Sequence, residues 1–138
     1  DYDIERRLVE DTREDVRDIV DTVGIEDPET VTLAVAPAWK HEVVGIAREA
    51  DNVVPAVMQN EDLQRHGEAA ADFAKTLAGR ANIDEHLSPE RELGALQRAA
   101  WLIEREFGAE VVVQSADAAE DGLASKAEPG RPAIDIAA

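Results

Sequence analysis

Val31-Thr32-Leu33-Ala34-Val35-Ala36-Pro37-Ala38-Trp39-Lys40-His41-Glu42 decides how this chain folds. The β-branched and apolar run between Pro28 and Pro37 reads as a buried strand. Val43, Val44, Ile46, Ala47 and Ala50 then recur at helical spacing, so the strand hands directly to a helix. Pro37 donates nothing to a sheet ladder and fits just ahead of a helix whose first amides point outward. Such an end can hold an anion, here flanked by Trp39 and Lys40. Composition alone favours the plainer reading, with Trp39 a packing aromatic and Lys40 a solvated helix residue.

The 138 residues suffice for one domain with a real core, plus an arm. The start at Asp1, without methionine, suggests a piece of a longer protein. No apolar run approaches the roughly 20 residues that span a bilayer, and no signal-peptide pattern opens the chain. The expectation is a cytoplasmic protein with no membrane partner. There is no cysteine, and His41, His66 and His86 lack ligand spacing, which argues against a metal site.

Net charge is -17, from 31 acidic against 14 basic residues, and only Lys40, Lys75 and Lys126 are lysine. Sustained apolar periodicity argues that the chain folds nonetheless. Such self-repulsion destabilises a compact state at ordinary ionic strength, whereas molar salt shrinks the Debye length to about 3 Å. The composition reads as adaptation to a very salty cytoplasm, with an acidic interaction domain as the competing reading. Net acidity ordinarily argues against nucleic acid, because phosphate binding gains from counterion release. That gain is small in concentrated salt for any protein, so RNA recognition through hydrogen bonds, stacking and shape stays open.

Ile4, Leu8, Val9, Val16, Ile19, Val20 and Val23 form an apolar stripe on a long first helix that Gly24 stops. It is either the first core helix or a connector from a preceding helical domain. Beyond the helix carrying Trp39, Pro55 sits in the first turn of a short helix ending near Met58. Asn60 caps the next, whose buried face is Leu63, Ala70, Phe73, Ala74 and Leu77, ending at Gly79. Residues 81–87 read as a polar loop with Ile83 and Leu87 tucked inward. Ser88-Pro89-Glu90 is a firm helix start, and Leu93, Leu96, Ala100, Ile103 and Phe107 follow until Gly108. Trp101 lies off this stripe. Residues 110–114 read as a second buried strand, the stretch from Asp117 to Lys126 as weakly helical around Leu123, and Pro132 as the first residue of a third strand. The predicted fold is α/β: a small three-stranded sheet packed with helices, its first two strands parallel through a helical crossover, preceded by a long N-terminal helix. The boundary expected is 1–24 for the connector and 25–138 for the α/β domain.

Nucleophile elbows, phosphate-cradling glycine loops, dinucleotide fingerprints and paired-histidine motifs are missing. In so dense a coat, a carboxylate pair such as Glu90 and Glu92 diagnoses nothing. A binding or appended domain is therefore expected rather than an active site. Four segments then carry a resemblance: Ala36-Pro37-Ala38-Trp39-Lys40 after a strand, Leu63-Gln64-Arg65-His66-Gly67 in a mid-chain helix, residues 103–111 closing a helix into a strand, and Pro129-Gly130-Arg131-Pro132-Ala133-Ile134 near the end. In this order the chain resembles the C-terminal domain of archaeal-type leucyl-tRNA synthetases.

The resemblance implies a module joined to a class I, ATP-dependent ligase that contacts the long variable arm of leucine tRNA and supports aminoacylation and editing. It places the arm's tip at Arg131, Pro132, Ala133, Ile134, Asp135 and Ile136, with Lys40, Arg65, His66, Lys75 and Lys126 as secondary backbone contacts. Partners implied are leucine tRNA and the remainder of the synthetase, not DNA. ATP and magnesium would belong to the parent, with no cofactor held by this fragment. Asp135 and Ala137-Ala138 depart from the family pattern, so exact base contacts do not transfer. The alternative is a protein-interaction module docking through the apolar stripe of the first helix. A small hydrolase would require a compact carboxylate or histidine site.

Overall fold

The computed structural model describes residues 2–80, 87–116, 123 and 126–137. Six helices and three strands follow in the order α1 (Tyr2–Val23), β1 (Thr30–Ala34), α2 (Ala38–Glu49), α3 (Val53–Met58), α4 (Glu61–Gln64), α5 (Gly67–Ala78), α6 (Pro89–Phe107), β2 (Glu110–Gln114) and β3 (Ala133–Ala137) among these residues. They divide into two compact units, residues 1–37 with 86–138 and residues 38–85.

The first unit is a two-layer α/β arrangement. Its sheet has the order β2-β1-β3, with β2 parallel and β3 antiparallel to β1. The parallel pair is the one expected, and the direction of β3, open in the sequence, is now fixed. Register places Val111 and Ile136 opposite Val31, and Val113 and Ile134 opposite Leu33, so two apolar rows cross one face. Leu8 and Val16 of α1 and Leu96 and Ile103 of α6 pack on those rows. One expectation needs correction: β2 is not fully buried but an edge strand, exposed at Glu110 and half-buried beyond it.

Helix α1 contributes directly to this core. Thr12, absent from the expected stripe, is buried between Leu8 and Val16, and its hydroxyl donates to the Leu8 carbonyl at 2.7 Å. Val23, expected on the stripe, is 66% exposed. The parallel helices α1 and α6 are laced by charge. Arg91 and Arg98 reach Glu5, and Arg13 and Arg17 converge on Glu106. The expected caps are in place: the Ser88 hydroxyl accepts from the Arg91 amide at 3.3 Å, and Gly108 closes α6 at φ 67°.

The second unit is all-helical. Val43, Val44 and Ala47 of α2, Val57 of α3, Leu63 of α4 and Phe73, Ala74 and Leu77 of α5 form its core. Here the single helix expected after Asn60 is two. Asn60 does cap α4, accepting from the amides of Asp62 and Leu63. Gly67 at φ 45° then breaks the run, a conformation glycine adopts without a Cβ penalty. Leu87 is buried as expected; Ile83, His86 and most of the stretch expected to be weakly helical lie outside the described residues.

Candidate nucleic-acid interface

The expected site residues fall into two groups, one in each unit. In the first unit, Glu128-Pro129-Gly130-Arg131 is a tight turn: the Arg131 amide donates to the Glu128 carbonyl at 2.8 Å and Gly130 has φ 83°. Proline second and a positive-φ glycine third make this a type II turn. It delivers the chain to β3.

Two tethers hold that turn. The Arg131 guanidinium donates to Asp15 of α1 at 3.0 Å, which raises the Arg131 pKa. The Gly130 amide donates to the Glu92 carboxylate at 2.5 Å. Glu92 is 1% exposed, and burial pushes its carboxyl up to about 7, although the Gly130 hydrogen bond pulls the other way. In the sequence Glu92 stands as one acid in a dense coat. A signal was available, because Glu92, Ala95, Leu96, Ala99 and Ile103 keep the helical spacing of the buried face.

Along β3 the side chains divide by face. Pro132 and Ala133 are buried, and Ile134 and Ile136 pack against the core. Asp135, opposite Thr32 on the other face, is exposed, as are Arg131 and Lys126. Strand β3 pairs with β1 alone among the described residues, so its outer edge has no strand partner there. This part of the chain can therefore offer a ligand the exposed side chains of Arg131 and Asp135 and an edge of backbone donors and acceptors.

The second group is an aromatic cluster. The rings of Trp39 and His66 stack at 4.9 Å between centroids with 20° between planes, and Phe73 meets Trp39 edge-on at 6.2 Å. The Lys40 ammonium lies 5.7 Å from the Trp39 ring and 5.4 Å from that of Phe73. Lys40 is buried, so the solvated reading does not describe it; its ammonium lies near the rings of Trp39 and Phe73. Arg65, His66 and Lys75 are exposed. Trp101 is also 56% exposed.

No protein-family model matches the chain. Individual proteins do. It is 53% identical over 99% of its length to leucine–tRNA ligase of Halobacterium salinarum, covering 16% of that protein. Leucine–tRNA ligases of Pyrococcus abyssi and Methanothrix thermoacetophila are 26% and 30% identical over 97% and 93% of the chain, which covers 14% and 15% of them. The chain thus spans less than a fifth of the length of these relatives. Matched almost end to end by one segment of each of these enzymes, it belongs to the archaeal leucine–tRNA ligase family as a fragment.

Proposed function

We propose that this chain is the C-terminal tRNA-binding module of a class I leucine–tRNA ligase from an extreme halophile, and that it contacts the long variable arm of leucine tRNA. Residues 1–24 would enter from a preceding helical domain and residues 25–138 form the module. The parent would act in the cytoplasm and supply the ATP and magnesium chemistry, leaving this fragment to hold the tRNA for aminoacylation and editing.

The observation that carries the reading is the outer edge of β3 beside exposed Arg131 and Asp135. Unstacked bases in an RNA loop present hydrogen-bonding edges that such a backbone edge can meet, while a guanidinium suits phosphate or guanine. Engaging RNA would require Arg131 to exchange Asp15 for the ligand. That exchange is cheap, because an exposed pair is worth about 1 kcal/mol or less. The protein-interaction alternative is weakened by α1, whose Leu8 and Val16 are already committed to the chain's own core.

Truncating the tail would be a poor test, since Ile134 and Ile136 complete the hydrophobic core. The better experiment measures leucylation in molar potassium chloride by the full-length ligase carrying Arg131→Ala with Asp135→Ala, against leucine tRNA with an intact or shortened variable arm. Both lesions should raise the KM for tRNA, and together they should add little. If the protein variant leaves KM unchanged while the shortened arm raises it, the arm is read elsewhere.

A further inference from the structure

We propose that His66, backed by Trp39, is a stacking platform for one unpaired nucleobase of the bound RNA, separate from the β3 edge; this rests on the tRNA-binding reading above. The chain is poor in aromatics, with two Trp, two Phe and one Tyr, yet Trp39 and Phe73 sit together with a histidine. The cluster is graded from inside to outside: Phe73 is in the core, Trp39 is half-buried, and His66 is exposed. A ring pair at 4.9 Å and 20° that ends at the surface presents a flat, already ordered face.

Local backbone explains why the imidazole is held there. His66 is the residue before α5, but its side chain makes no capping hydrogen bond. Gly67, the first residue of that helix, has φ 45°, so the chain turns sharply just after the imidazole. Its side chain is thus spent on the Trp39 stack rather than on the helix end. Arg65, next to it, is exposed and forms no salt bridge with any described residue.

The surrounding charge selects among RNA contacts. Glu61, Asp62 and Glu68 are exposed on the flanking helices, which disfavours the phosphate backbone. Stacking on a base needs no net positive charge and survives salt that screens phosphate attraction. A flat aromatic face beside one guanidinium is therefore suited to a splayed base in concentrated salt.

The test is equilibrium binding of leucine tRNA to the full-length ligase in molar potassium chloride, comparing wild type, His66→Leu and His66→Phe, with thermal melts confirming folding. Stacking predicts that His66→Leu weakens binding about fivefold or more and that His66→Phe restores it to within about twofold. If wild type binds tRNA and His66→Leu binds equally well, the platform is wrong and the tRNA-binding reading stands. If both variants weaken binding alike, the ring is not what matters, which also overturns stacking. If tRNA affinity is unchanged on deleting the whole segment homologous to this chain, the underlying reading fails instead.

Discussion

The Gly130 amide donates to Glu92 at 2.5 Å, joining the turn that starts β3 to the first turn of α6 through a carboxylate that is almost fully buried. The hydrogen bond and the helix's positive end favour the charged form, but burial outweighs them and raises the pKa from 4.5 to about 7. The folded state therefore holds this proton more tightly than the unfolded chain does.

The consequence is a stability that depends on pH with a definite sign. Glu92 contributes fully below about pH 4.5, and that contribution is lost as pH rises through about 7. A shift of this size corresponds to about 3 kcal/mol. Glu92→Gln keeps an acceptor for Gly130 and removes the charge. The variant should exceed wild type by about 1–3 kcal/mol near pH 8, with the gap closing toward pH 5. Denaturant titrations at several pH values check this, and an equal stability difference at every pH would refute it.

Glu106 behaves in the opposite sense. Burial raises its pKa, but hydrogen bonds from Arg13 and Arg17 of α1 outweigh burial and hold it below the usual carboxylate range. Its contribution is present above the unfolded value and is lost as pH falls through the lowered folded one. Glu106→Gln should lower the melting midpoint by about 2–4 °C at neutral pH and by less in acid. A midpoint depressed equally at acid and neutral pH would show that Glu106 acts by packing, not charge.

Two glycines carry backbone demands that no other residue meets as cheaply. Gly67, at φ 45°, separates α4 from α5, and Gly108, at φ 67°, closes α6. A Cβ at either would meet no neighbour within 4 Å, so substitution tests conformation alone. Gly67→Ala and Gly108→Ala should each cost about 1–2 kcal/mol in chemical denaturation. Gly67→Ala should also disturb the Trp39–His66 stack, read as altered tryptophan emission.

These positions show which parts of the fold local chemistry announces. Pro37 ahead of α2, Ser88-Pro89 at α6, and the stops at Gly24 and Gly108 act through neighbouring backbone, so a reader of sequence can place them. Periodicity says which face of a helix is buried but not against what. Thus Leu63, Phe73 and Leu77 were recognisable as buried, while their closing a core without the sheet was not. Glu92 was hidden because dozens of acids surround it in sequence, and only its place among Ala95, Leu96 and Ile103 distinguishes it. The Trp39–His66 stack joins a residue of α2 to one in the turn between α4 and α5, beyond the reach of either segment's pattern.

Salt should act on the chain more strongly than any of these substitutions. The net charge of -17 comes from 31 acids that 14 basic residues only partly neutralise, and several arginines are already paired, with Glu5, Glu106 and Asp15. The remaining carboxylates repel one another across a small surface. Raising potassium chloride from about 0.1 M to about 1 M shortens the Debye length from about 10 Å to about 3 Å, which removes repulsion between non-contacting acids. The same salt weakens the exposed arginine pairs, but each contributes little. Repulsion therefore dominates, and the melting midpoint should rise substantially with potassium chloride. It should rise with chloride as the common anion, which separates screening from the general stabilising action of sulfate. A midpoint independent of potassium chloride would mean that the acid coat serves recognition of a partner rather than folding in brine.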